Sequence, residues 1–253
     1  MSGLSAIILA AGKGTRMKSE LPKVAVPALG EPMVRWVVRA CREAGCDRIV
    51  LVVGYKQEVV REIFSGDDVE FAVQAEQLGT GHAVNAAEPL FRGAERAGEA
   101  LVLAGDGPLI NPKTLRSLVE KHRAHKAAAT LATTTIEDPT GYGRIVRDGQ
   151  GRFSCIVEEK NATAEQKAIR EVYPSICCFD VGALFETLAE LPRDGVTGEY
   201  YVTKVPEMLG AKGRVVETVS GVPAEEALGV NTVEQLADVE RVLASRGKER
   251  TRA

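Results

Sequence analysis

Gly12, Gly14, Thr15, Arg16 and Lys23 lie close together in LAAGKGTRMKSELPK, residues 9–23, directly behind an apolar N-terminal run. Glycines in such a turn let backbone N–H groups face anionic oxygens, because no Cβ stands in the way. Arg16 offers a planar fork for phosphate oxygens and Lys23 a compact point charge. The chemistry these residues fit is the holding of a polyphosphate. A P-loop would need G-x-x-x-x-G-K-[ST], which is absent, and a dinucleotide fingerprint would need a third glycine where Met17 stands. A plain strand-to-helix turn is the structural alternative for a lone G-x-G.

Two further stretches carry groups suited to the same task. In LAGDGPLI, Asp106 ends an apolar run, where a carboxylate can hold Mg²⁺ beside phosphates or merely cap a helix. In QAEQLGTGHA, the Gln74 amide can read a pyrimidine edge with one donor and one acceptor, and Gly79-Thr80-Gly81 makes another close-approach turn. An ordinary connecting loop is the alternative there. His122 and His125, in KHRAHK, lack a carboxylate or cysteine partner at ligand spacing and read as a polar helix face.

The elements that must position these residues show in the hydrophobic pattern. SAIILAA, DRIVLVVGY, VEFAVQ, EALVLAGD and AAATLATTT are apolar runs that predict strands covered on both faces. EPMVRWVVRACREAG places Val34, Val37, Val38 and Cys41 at helical spacing and stops at Gly45, with Trp36 beside the apolar stripe. GHAVNAAEPLFRGAERAG and NPKTLRSLVEKHRAHKA predict further helices, the second capped by Asn111 with Pro112 in its first turn. The alternation predicts an α/β fold with a doubly wound, mostly parallel, Rossmann-like sheet. Ligands bind at the carboxyl edge of such a sheet, and both the glycine turn and Asp106 fall there.

Near residue 140 the rhythm changes. GYGRIVRDGQGRFSCIVEEK predicts a β-hairpin turning at Asp148–Gly151. EVYPSICCFD and RVVETVSG follow as strands, and DVGALFETLAEL, GEYYVTKVPEMLGAKG and NTVEQLADVERVLASRG as helices. One domain over 1–246 is expected, with 247–253 as a frayed polar tail.

The 253 residues are 45% hydrophobic and 26% charged, as in a globular chain with a substantial core. A formal net charge of −3 argues against nucleic acid as a partner. No apolar run approaches the roughly 18 residues needed to span a bilayer, so no membrane partner is expected. The N-terminus lacks the charged start of a signal peptide. Five cysteines, at neither metal nor disulfide-framework spacing, predict reduced thiols and a cytoplasmic location.

LAAGKGTRMKSELPK resembles the L-x-x-G-x-G-T-R-[ML]-x-x-x-x-P-K signature of sugar-1-phosphate nucleotidylyltransferases. With QAEQLGTGHA, LAGDGPLI, GYGRIV, IVEEKNA, GEYYVTK and GVNTVEQLA, the chain from about residue 4 to 245 resembles the uridylyltransferase domain of bacterial N-acetylglucosamine-1-phosphate uridylyltransferases. The resemblance implies transfer of uridylyl from UTP to a sugar 1-phosphate, with Mg²⁺ on Asp106 and Asn231. It implies nucleotide contacts at Leu9, Ala10, Ala11, Gly12, Gly14, Thr15, Gln74, Gly79 and Thr80. Sugar contacts are implied at Gly105, Gly143, Glu158, Tyr173 and Asn231, and residues about 140–230 are expected to form the sugar-binding part. Arg16, Lys23 and Asp106 are the implied catalytic groups. Glu158, in a charged run, reads equally well from its neighbours as a solvated carboxylate.

The chain departs from that pattern. Glu171-Val172-Tyr173-Pro174-Ser175 replaces the usual E-[IV]-N-[TS]-G, Ala104 a frequent tyrosine, and Lys204 a frequent aspartate. The family's hexapeptide-repeat acetyltransferase domain is not in these residues, so a monomer or weak dimer is expected. Two rivals stay open: a nucleotidylyltransferase for another phosphorylated substrate, and a non-catalytic nucleotide-sugar-binding regulator. An NAD-dependent oxidoreductase lacks its fingerprint glycine.

Overall fold

Ile7 and Ile8 of the first strand, β1 (Leu4–Ala10), are both fully buried although successive strand residues face opposite sides of a sheet. Such a strand needs apolar cover above and below, and the rest of the chain supplies it. The computed structural model describes residues 3–17 and 19–250. After β1 come a small hairpin of β2 (Pro27–Ala28) and β3 (Glu31–Pro32), α1 (Met33–Ala44), β4 (Arg48–Val53), α2 (Gln57–Ile63), β5 (Glu70–Val73) and α3 (Thr80–Asn85). Then follow β6 (Glu99–Ala104), α4 (Pro112–His125), β7 (Ala129–Thr135), β8 (Gly143–Arg147), β9 (Phe153–Val157), α5 (Ala164–Lys167) and β10 (Glu171–Tyr173). The chain continues with β11 (Ile176–Asp180), α6 (Val181–Leu188), α7 (Val205–Ala211), β12 (Val216–Ser220) and α8 (Val233–Arg250).

Ten strands form one sheet in the order β5-β4-β1-β6-β11-β7-β10-β8-β9, with β12 also paired to β7. Strands β5, β4, β1 and β6 run parallel, joined by helices as the alternation predicted. One face of the sheet carries Ile7, Val52 and Val102 against Val84, Phe185 and Leu209 from α3, α6 and α7. The other face carries Ile8, Leu51 and Leu101 against Val37, Val60 and Leu115 from α1, α2 and α4. The fold is α/β and wound on both faces. Five cysteines are free thiols, four of them buried.

Local chemistry sets the helix limits. Helix α1 ends at Gly45, whose φ of 99° is the left-handed conformation a side chain resists. Helix α4 starts where the Asn111 side chain accepts the Lys113 N–H.

Several expectations need correction. The helix predicted across 81–98 is only α3 plus two short 3₁₀ turns, because Pro89 and Gly93 interrupt it. The helix predicted across 198–213 starts at Val205, with Pro206 in its first turn. EVYPSICCFD is two strands: Pro174 offers no N–H, Ser175 takes a positive φ of 60°, and the chain shifts between strand partners. Strand β10 pairs with β7 and β8, while β11 runs antiparallel between β6 and β7. The β8–β9 hairpin is present and extends the main sheet through β10. Helix α8 continues to Arg250, past the expected start of the frayed tail; 251–253 lie outside the described residues.

Leu101 is fully buried near the centre of β6, on the face covered by α1, α2 and α4. Leu101→Ala is expected to cost roughly 2–5 kcal/mol, read as a lower midpoint in urea unfolding with an unchanged slope.

Candidate active site

Along the parallel half of the sheet the chain moves from β1 outward to β4 and β5, then returns to the other side of β1 as β6. The order therefore reverses between β1 and β6, and the crevice at their carboxyl ends is where a doubly wound sheet takes ligands. The glycine turn leaves β1 at that point, and Gly105-Asp106 leaves β6 beside it, with the Gly105 N–H on the Leu9 carbonyl at 2.9 Å. A Cβ on Gly105 would fall 2.8 Å from the Leu9 carbonyl oxygen and 3.1 Å from Val24. Gly105 is thus a packing glycine that brings the two strand ends together, and it does not line the cleft.

Four side chains meet in the crevice. The Lys23 ammonium is ion-paired with the Asp106 carboxylate and also donates to Asn231 Oδ1 at 2.8 Å. Arg16 donates to the same Asn231 oxygen at 2.8 Å. Asn231 precedes α8, and the Val230 N–H on the Asp106 carbonyl, at 3.1 Å, ties that segment to the end of β6. Gly14, at φ 67°, makes room for Lys23: a Cβ there would be 2.5 Å from the lysine Cβ. Gly12 differs, since a Cβ on it would meet nothing within 4 Å. The N–H groups of Gly12, Lys13 and Gly14 donate to no acceptor among the described residues. Thr15 opens a single 3₁₀ turn, and Met17, at the missing-glycine position, is buried with Leu109 and Val230.

Leu9, Ala10 and Ala11 lead from β1 into this turn, and the Ala11 carbonyl accepts the Tyr55 N–H at 3.1 Å. Gln74 follows β5 and is buried. Its amide nitrogen donates to the Gly79 carbonyl at 3.0 Å and lies 3.1 Å from His82 Nδ1. The donor side is therefore spent within the protein, and the amide oxygen is left as the group able to face a ligand, where one donor and one acceptor were expected. Gly79 and Thr80 grip the segment before α7: Thr80 Oγ1 accepts the Val202 N–H at 3.0 Å, and a Cβ on Gly79 would fall 2.6 Å from the Tyr200 carbonyl oxygen. These glycine constraints come from protein packing, not from a ligand's approach.

On the other side of Asp106 a cleft of about 220 Å³ is lined by Asp106, Gly143, Glu158, Tyr173 and Asn231, all singled out in the sequence. Gly143 starts β8 opposite Tyr173 of β10, and a Cβ on it would clash with Ile156 at 2.7 Å. Glu158 accepts the Thr203 hydroxyl at 2.6 Å, and burial pushes its carboxyl above the ordinary glutamate range. Burial likewise raises the Tyr173 phenol well above its usual value. Ser175, noted in the sequence as part of a departure from the family pattern, also lines the cleft, as do Thr203, Tyr142 and Glu226, which were not singled out. Glu226 is buried and accepts the Asn111 N–H at 3.1 Å and the Thr114 hydroxyl at 2.9 Å, which fixes the start of α4. In PAEEA it reads as one more exposed charge; only the folded chain shows its partners.

The model of the MobA-like NTP transferase domain matches residues 6–203. The chain belongs to that family. Relatives of this NTP transferase domain include the bifunctional protein GlmU of Geobacter metallireducens, 47% identical over 247 residues, which are 97% of this chain and 52% of that protein. The bifunctional protein GlmU of Caldanaerobacter subterraneus subsp. tengcongensis is 43% identical over 250 residues, 99% of this chain and 54% of the relative. The chain thus spans about half the length of these curated relatives. Among solved structures, UDP-glucose pyrophosphorylase complexed with UDP-glucose superposes with a TM-score of 0.74 at 18% identity, covering 96% of this chain and 99% of that one. That likeness shows a shared fold.

Because the folded-state pKa of Glu158 is raised, its ionised form costs stability, and the cost disappears at pH low enough to protonate it. Glu158→Gln is expected to melt higher than the parent at about pH 8, with the difference closing as pH falls toward about 4.5, near the free glutamate value. Thermal melts of both proteins across that range check it; a constant difference would contradict the burial assigned to this carboxylate.

Proposed function

We propose that the chain is a sugar-1-phosphate uridylyltransferase that converts UTP and N-acetylglucosamine 1-phosphate to UDP-N-acetylglucosamine and pyrophosphate. The observation that carries this reading is the meeting of Arg16, Lys23, Asp106 and Asn231 at the β1–β6 switch point, between a turn with free N–H groups and a polar cleft. Kinship with GlmU proteins over nearly the whole chain supports it. Among the described residues no helix is long and apolar enough to cross a membrane, which suits work on small water-borne substrates.

In the proposed reaction a phosphate oxygen of the sugar 1-phosphate forms a bond to the α-phosphorus of UTP, and the bond from that phosphorus to the β-phosphate bridging oxygen breaks. No protein base is required, because a phosphate monoester with a second pKa near ~6 is already mostly dianionic at neutral pH. The protein's work is alignment of two polyanions and neutralisation of their charge. The Gly12–Gly14 N–H groups and Arg16 would hold the β- and γ-phosphates that leave together. Lys23 would face the α-phosphate, and Glu158 would accept sugar hydroxyls. Gln74 Oε1 would accept the uracil N3–H.

A divalent cation fits this donor set. Asp106 and Asn231 both present an oxygen to one cation already, the Lys23 ammonium, so their oxygens converge on a common point. Two hard oxygen donors suit Mg²⁺, which Asp106 and Asn231 would hold. When bound, Mg²⁺ would supply charge neutralisation at the α-phosphate. With the cation there, Lys23 and Arg16 would turn their donors to the phosphates.

Release of pyrophosphate with Mg²⁺, crossing each nucleoside triphosphate against hexose and hexosamine 1-phosphates, tests the proposal; turnover is expected with UTP and N-acetylglucosamine 1-phosphate. Lys23→Met is expected to lower kcat about 10²–10³-fold, in the range for loss of one transition-state donor. Asp106→Asn should fall by a similar factor with its circular dichroism intact, and near-normal turnover at saturating Mg²⁺ would remove Asp106 from the mechanism.

A further inference from the structure

Glu158 and Glu159 follow β9 side by side, yet their carboxylates go separate ways. Glu158 lines the cleft. Glu159 turns to Arg144 of β8, accepting its Nη2 at 2.6 Å and the Gly141 N–H at 3.2 Å, with Lys167 Nζ 3.9 Å from its second oxygen. Arg144 is 1% exposed, the bulkiest fully buried side chain among the described residues. Its Nη1 donates to the Tyr142 carbonyl, and its Nε is buried with no partner.

As a stabilising device this is a poor arrangement. A buried guanidinium costs several kcal/mol of desolvation, an unpaired N–H adds to that, and a well-packed apolar side chain often serves a fold as well. What the charge does hold is specific. Arg144 takes the carbonyl of Tyr142 directly and, through Glu159, the N–H of Gly141. Gly141, Tyr142 and Gly143 line the cleft, and Glu158, one residue from Glu159, lines it from the end of β9, the strand paired with β8. A Cβ on Gly143 would lie 4.0 Å from Glu158 Oε2, so the turn and this carboxylate are adjacent. The Asp138 carboxylate braces the same turn from its far side by accepting the Thr140 N–H at 3.1 Å.

We propose that the Arg144–Glu159 pair is a positioning clamp that fixes the 141–143 turn against Glu158 and so sets the sugar-side half of the site. The proposal rests on the uridylyltransferase reading of the cleft. Arg144 touches no reacting atom; it acts through the backbone of Tyr142 and through Glu159. Its loss should loosen sugar recognition and leave the triphosphate turn, which β1 carries several strands away, unchanged.

The test compares the parent with Arg144→Met and Glu159→Ala, which break the pair, and Glu159→Gln, which keeps an acceptor oxygen. The readouts are KM for N-acetylglucosamine 1-phosphate, KM for UTP, and amide hydrogen exchange at 139–143 and in β1. Both breaking variants are expected to raise the sugar-phosphate KM by about 10- to 100-fold, the scale of a small misplacement, with the UTP value within about twofold. Glu159→Gln should recover most of the loss. Exchange should quicken at Gly141 and Tyr142 and stay constant in β1. If Arg144→Met does not fold, Arg144→Lys, which keeps the buried charge with a single donor group, is expected to show the same one-sided rise. A sugar-phosphate KM within about twofold of the parent in a folded breaking variant, or both KM values rising together, would overturn the clamp. An inactive parent would instead overturn the uridylyltransferase reading, and unchanged exchange at 141–142 would then overturn the clamp on its own.

Discussion

One ammonium group joins three distant stretches of this chain. Lys23, after the glycine turn, reaches Asp106 at the end of β6 and Asn231 before α8, and Asn231 in turn takes Arg16 from the turn itself. Two anion-seeking cations held this close would repel each other without an intervening carboxylate and amide oxygen. The carboxylate offsets one of the two positive charges, and each group in the site is pre-aimed by another. The rest of the fold serves that convergence: Gly105 lets β6 approach β1, Gly14 lets the turn approach Lys23, and the Val230 N–H anchors the last segment on Asp106.

The division of labour among the glycines follows from sterics, not from their number. Gly14, Gly79 and Gly105 are required because neighbouring protein atoms occupy the place of a Cβ. Gly12 is not so constrained, and its turn keeps N–H groups that nothing in the described chain accepts. A backbone donor left facing outward costs little while water reaches it, and it becomes useful when an anion replaces the water.

The parallel half of the fold was legible in the sequence because its strands are buried on both faces, so Ile, Val and Leu run without interruption and cannot be mistaken for surface. The cationic turn and Asp106 were legible because their residue types follow strand ends, whereas Asn231, before α8, entered only through the family resemblance. Other features depend on partners far along the chain. α2 was missed because only Val60 in it is buried, leaving no stripe to see. The break in EVYPSICCFD was hidden by its apolar composition, although Pro174 announced it. Arg144 was not singled out, since its partners, the Tyr142 carbonyl and Glu159, and its neighbour Val172 on β10 come together only in the folded chain. Gln74 was placed correctly, but its amide donor proved to belong to Gly79.

Strand β11 enters antiparallel between β6 and β7, and β10 then joins β7 to the β8–β9 hairpin, so backbone pairing runs unbroken beneath both halves of the crevice. Among the described strands there is no seam about which the β1–β6 side and the β8–β10 side of the crevice could pivot. A molecule so constructed has little need of wholesale closure around its guests, and their capture sacrifices less chain freedom than a clamshell would demand. Its discrimination between guests of different size is cast when the backbone first assembles, and retuning it would fall to the turns at the rim, leaving the sheet as it stands.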